Sequence, residues 1–199
     1  KLILFSSIFC LILSFIVSEF IHNILIFSGI LSFGIIHGAN DLLLLKKKLN
    51  KITHSLFSLL VPYLMMILFF GIFFYLFPSF ALIFFVLFSS YHFGEQQWTI
   101  LDQNIDSGPL FFSNGLLIFA TLFYFHRMEV IEIVYMISSF SLISDFFKYL
   151  LITSIILALI SLLINYKRVK SQILNQIILF SLLIIAFSQL SLFNSFALY

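Results

Sequence analysis

Two short segments place an imidazole and a carboxylate within one helical turn of each other. His37 and Asp41 are four residues apart, and His92 and Glu95 are three apart. On a helix either spacing puts the pair on one face. This arrangement suits a metal-binding histidine: one ring nitrogen meets the metal, and the other donates to an acceptor that fixes tautomer and ring orientation. Both pairs stand in strongly apolar sequence. An ionisable side chain there costs about 2.5–3.5 kcal/mol on insertion scales, so it needs a partner or a purpose. His37 and His92 are therefore read as functional. Two imidazoles do not complete a site, because tight binding of iron or zinc usually takes three or more protein ligands.

The other polar residues are read more plainly. His22 lies at the end of an apolar run beside Glu19, His54 follows a lysine-rich stretch, and His126 precedes Arg127. All three are expected to be solvated or at headgroup level. Trp98 is expected to mark the membrane interface. Gly34 and Gly38, four apart, and Gly94 beside His92 permit close approach by either a neighbouring helix or a ligand. Phenylalanines that line an internal cleft would suit a long apolar ligand. Cys10 is the only cysteine, which excludes an intrachain disulfide and a thiolate metal site. The sequence contains no nucleophile motif, phosphate loop or nucleotide fingerprint.

The elements that must position these residues follow from composition. Of 199 residues, 62% are hydrophobic and 9% charged. A soluble domain carries about 25% charged residues, so lipid is the expected solvent for most of this chain's exterior. The net charge of +2 gives no reason to expect a nucleic-acid partner. A membrane span needs roughly 20 apolar residues. Candidates are Leu2–Ser18, Ile24–Leu45, Ser55–Phe77, a segment from Ser79 ending before Asp102, Leu110–Phe125, Tyr149–Ile164 and Ile173–Phe187. Val130–Phe147, with four serines and charges at both ends, is ambiguous. The expected fold is all-α: a polytopic transmembrane helical bundle of about 7–8 membrane helices. It forms a single domain over residues 1–199. Lys1 at the start and the apolar ending Phe196-Ala197-Leu198-Tyr199 lead us to expect a fragment of a longer domain, truncated at its C-terminus.

Basic residues test the orientation. Lys46-Lys47-Lys48, Lys51 and the cluster Lys167-Arg168-Lys170 should share the cytoplasmic side. They do so if Val130–Phe147 is interfacial or re-entrant, and not if it spans. With spans starting at Ile24 and Ser79, His37 and His92 each lie 13 residues in, or about 20 Å along the helix. Both helices would run the same way, which brings the two imidazoles to a similar depth.

The segments themselves resemble a known family. Gly34-Ile35-Ile36-His37-Gly38-Ala39-Asn40-Asp41 resembles the first histidine motif of the Brp/Blh family of membrane β-carotene 15,15′-dioxygenases. Ser89-Ser90-Tyr91-His92-Phe93-Gly94-Glu95 resembles the second. The resemblance implies cleavage of β-carotene by O2 at its central double bond to give two retinal molecules, using Fe(II) held by histidines. It makes His37 and His92 two of the iron ligands and sets Asp41 and Glu95 behind them as their hydrogen-bonding carboxylates. It further implies a multi-pass protein of the cell membrane, of bacterial inner-membrane type, with a microbial rhodopsin as consumer of the retinal. The family's remaining iron histidines lie in a later helix, and no histidine follows His126 here.

Other classes stay in view. Intramembrane His/Asp pairs also serve as proton relays, so a transporter or proton-pathway protein is the main alternative. A di-iron desaturase would show clustered histidine boxes, which are absent. Covalent retinal attachment would need a mid-span lysine, and none is present.

Overall fold

The computed structural model of the chain describes residues 24, 28, 56–99 and 107–198. Among the described residues the structure is all-helical, with no strand. From residue 56 onward the described residues form seven helices in order: α1 (Leu56–Leu76), α2 (Pro78–Thr99), α3 (Gly108–Phe125), α4 (Arg127–Ser138), α5 (Ser144–Val169), α6 (Ile173–Gln189) and α7 (Leu192–Leu198). They fall into two compact units. One contains α1, and the other holds α2 from Ser79 onward together with α3 to α7.

Proline sets the first boundary. The ring of Pro78 disfavours helical backbone at Phe77 and suits the first position of a new helix. Accordingly α1 stops at Leu76 and α2 starts at Pro78. Pro62 lies inside α1, where it removes one backbone donor from the helical ladder. The outer surface of α1 is apolar, with Leu64, Met65, Phe69 and Leu76 all more than half exposed.

In the second unit α3 is the central helix. It contacts α4, α5, α6 and α7 and is buried almost all round from Leu110 to Leu122. Its longest packing partner is α5. The buried residues of α5 are Phe147, Ser154, Ala158, Ser161, Asn165 and Val169, whose three- and four-residue spacings trace one stripe along the helix. Ile155, Ile156, Leu159, Ile160, Leu163 and Ile164 point outward. The small and polar residues are thus inside and the large aliphatic ones outside, the reverse of a helix packed in water. Inside the contact the hydroxyls of Ser113 and Ser161 meet at 2.6 Å.

Helices α3 and α5 are long and apolar enough to cross a membrane by length and composition. Leu60–Leu76 and α6 are apolar but shorter. Across the ambiguous segment Val130–Phe147 no single helix runs. The α4 helix has 12 residues and is about 18 Å long, against the roughly 30 Å of a hydrocarbon core. It ends at Ser139, whose φ of 54° is left-handed and whose N–H donates to the Tyr135 carbonyl. Residues 139–143 are not helical, and α5 then begins at Ser144.

Candidate functional site

The backbone of α2 fixes where His92 stands. Ser90, Gly94 and Trp98 are buried and recur every fourth residue, which makes them a ridge along one face. That ridge packs on α3. A Cβ on Gly94 would overlap the Phe111 carbonyl, and a Cβ on Gly115 would overlap the Ser90 carbonyl and crowd the Gly94 amide. Only paired glycines allow the two backbones to approach this closely. Of the two readings for Gly94, helix packing is the one the structure bears out. Tyr91 adds an edge-to-face contact with Phe111 at 6.0 Å, and Ser90 Oγ donates to the Val86 carbonyl within the helix.

His92 lies two residues from both Ser90 and Gly94, about 200° around the helix from each. It is exposed, with Glu95 half-buried one turn further on. The His92–Glu95 pair therefore occupies the face of α2 turned away from α3. Sequence spacing alone had placed them together, and the helix confirms the shared face. His37 and Asp41 lie outside the described residues, as do Gly34, Gly38, His22 and His54.

Among the described residues no group of three or more His, Cys, Asp or Glu side chains is placed to hold a metal ion. The described part of the chain thus brings one imidazole and one nearby carboxylate, and no complete donor set. Neutral imidazole is a chemically suitable donor for iron.

Beside His92 the chain builds an apolar cleft. The His92 and Phe93 rings are 6.2 Å apart between centroids. Phe93 stacks on Phe119 of α3 at 5.3 Å with the ring planes 6° apart. Phe196 of α7 leans on both, at 6.1 Å and 6.4 Å. Ile118, Leu122 and Phe187 complete a half-open cleft with no polar side chain in its lining.

Two expectations need correction. Trp98 is not an interface marker. It is fully buried in a cluster with Leu110, Phe111 and Val169, because the glycine crossing draws that end of α2 against α3, α5 and α6. At this same end Gln97 Nε2 donates to Gln176 Oε1 of α6 at 2.5 Å, and Gln176 Nε2 donates to the Gln97 carbonyl at 3.3 Å. His126 is not solvated either: it is buried at the joint between α3 and α4. Its Nδ1 is 3.2 Å from Glu129 Oε1, and its Nε2 is 3.3 Å from Ser195 Oγ of α7. With the ring proton on Nδ1, His126 donates to Glu129 and accepts from Ser195. The order serine, histidine, carboxylate is that of an acyl-transfer triad. Ser195 is fully buried, however, so no substrate carbonyl can reach its hydroxyl and the set acts as a packing joint. Sequence reasoning missed it because Ser195 lies 69 residues away.

Comparison with known proteins places the chain in a family. No curated protein and no solved structure matches the chain. A family model described as Beta-carotene 15,15'-dioxygenase matches residues 28–199. That match includes His37, Asp41, His92 and Glu95, the two motifs that carried the resemblance. The chain belongs to the beta-carotene 15,15'-dioxygenase family.

Proposed function

We propose that this protein cleaves β-carotene at its central 15,15′ double bond with O2, giving two retinal molecules, at a membrane site where His37 and His92 hold Fe(II). The single observation that carries the reading is the placement of His92: in a chain of this family, it stands with Glu95 on the α2 face turned away from α3. A histidine serving only to fill a core would lie on the Ser90–Gly94–Trp98 ridge instead.

The reaction balances without a further reductant. One double bond is broken, and the two atoms of O2 end as the two aldehyde oxygens. Bound iron would supply the activation of O2 that a spin-paired polyene lacks. The chain's own residues hold and exclude. His37 and His92 are the imidazole donors, and Asp41 and Glu95 accept from the imidazole N–H groups that do not face the metal, holding ring orientation. The apolar wall beside His92 keeps water from the reacting bond.

The outward aliphatic faces of α1 and α5, with serines turned inward, support a multi-pass protein of the cell membrane. The bilayer then delivers the substrate, which is insoluble in water. The 12-residue α4 supports the topology in which Val130–Phe147 does not span, so that Lys46–Lys51 and Lys167–Lys170 share one side. The retinal product would be consumed by a retinal-binding protein of the same membrane, such as a microbial rhodopsin. The test is retinal formation from β-carotene by the full-length protein, compared with His37→Ala and His92→Ala variants that accumulate normally. Retinal from the parent protein alone supports the reading. Equal activity in either variant rejects the ligand assignment.

A further inference from the structure

Resting on that reading, we propose that Phe196 is a specificity-determining residue of the substrate site, held in position by the Ser195–His126 hydrogen bond. The cleft of Phe93, Phe119 and Phe196 would receive a flat hydrocarbon portion of the carotenoid beside His92. Three observations carry this. Phe93, one wall of the cleft, has its ring centroid 6.2 Å from that of His92. Its lining has no polar side chain, so it offers nothing to a headgroup or a sugar and suits only hydrocarbon. Its aromatic faces are already parallel where Phe93 meets Phe119, and an unsaturated chain or ring can extend that stack.

The enclosed part of the cleft is no larger than one water molecule. A substrate therefore enters only by displacing a wall. Phe119 is nearly fully buried and cannot yield, whereas Phe196 is about one-third exposed at the rim. Phe196 is carried by α7, a helix of 7 residues. Within that helix the residue before Phe196, Ser195, is fully buried and hydrogen-bonded to His126 at the α3–α4 joint. His126 is in turn fixed by Glu129. His126 and Ser195 are thus positioning residues for Phe196 and touch no substrate.

The experiment measures β-carotene binding by quenching of tryptophan fluorescence, to which Trp98 contributes, in the full-length protein in detergent, alongside turnover. Phe196→Ala should raise Kd about tenfold, equivalent to about 1.4 kcal/mol. The milder Phe196→Leu should fall between the two and guards against a folding defect. Ser195→Ala should raise Kd about threefold in the parent protein and add nothing to Phe196→Ala, because a residue acting through another shows no separate effect once the other is gone. An unchanged Kd in Phe196→Ala overturns the cleft. A Ser195→Ala effect that simply adds to that of Phe196→Ala overturns the positioning role. A protein that binds β-carotene without cleaving it defeats the proposed activity, while the Kd series still decides the cleft. No binding by the parent protein defeats both.

Discussion

Gly94 of α2 and Gly115 of α3 face each other so closely that a Cβ on either would overlap the opposite helix's backbone at Phe111 or Ser90. His92 lies two residues before Gly94, so this crossing fixes its height along α2 and the side of the helix on which it stands.

The first prediction concerns that crossing. In an isolated helix Gly→Ala stabilises by about 1 kcal/mol. Here the added methyl would meet backbone rather than a flexible side chain, and overpacking dominates. Gly94→Ala and Gly115→Ala should each destabilise by about 3 kcal/mol, and the double variant should cost less than the sum. Reversible unfolding in mixed micelles measures this, and parent-like stability in Gly94→Ala would refute the contact.

A second prediction addresses the hydroxyl pair between α3 and α5. Replacing Ser113 or Ser161 with Ala removes a 2.6 Å interhelical hydrogen bond. Each serine also reaches a carbonyl of its own helix, Leu110 for Ser113 and Ala158 for Ser161, which limits the loss. A double-mutant cycle should give a coupling of about 0.6 kcal/mol and no more than about 1.7. A coupling of zero would mean that the two hydroxyls do not meet.

Ser139 supplies a third. It closes α4 in the left-handed region at φ 54°, a conformation that costs a side-chain-bearing residue about 1–2 kcal/mol. Glycine adopts it freely and is the usual residue at such helix ends. Ser139→Gly should therefore raise stability by up to about 1 kcal/mol. Thermal unfolding checks the sign, and a lower midpoint would contradict it.

At α2 and α6, Gln176→Leu should cost about 1–3 kcal/mol by removing the acceptor for Gln97, while the double change Gln97→Leu with Gln176→Leu should recover most of that loss. Chemical unfolding of the three variants distinguishes this from simple loss of volume, in which the double variant would be the least stable.

Much of the helical scaffold was legible locally. Pro78 announced the α1–α2 boundary because its ring restricts Phe77 sterically, and the apolar run Leu110–Phe125 ended where α3 ends. The run Tyr149–Ile164 fell short of α5 at both ends, since hydropathy marks what is apolar and not what is helical. Asp145 and Lys167 are helical yet charged. The break at Ser139 carried no glycine to announce it. Buried Trp98 and His126 were misread for a common reason. Each lies near the end of an apolar run, which looks interfacial in one dimension, but distant segments cover both: Val169 and Ile173 pack at Trp98, and Ser195 binds His126. Of the candidate site, the His92–Glu95 pair was readable from spacing alone. The family was readable from the two motifs together, and the match over residues 28–199 bears it out. The convergence of His37 with His92 depends on residues outside those the structure describes.

The central claim is that His92 holds the metal that cleaves β-carotene. It is tested most directly by loading the full-length protein anaerobically with Fe(II), measuring bound iron, then adding O2 and β-carotene and counting retinal. The account predicts two retinal molecules per β-carotene consumed. It also predicts that His92→Ala, which lies off the packing ridge and should accumulate at the parent level, loses both bound iron and retinal formation. A His92→Ala protein that keeps its iron and its rate would contradict the account.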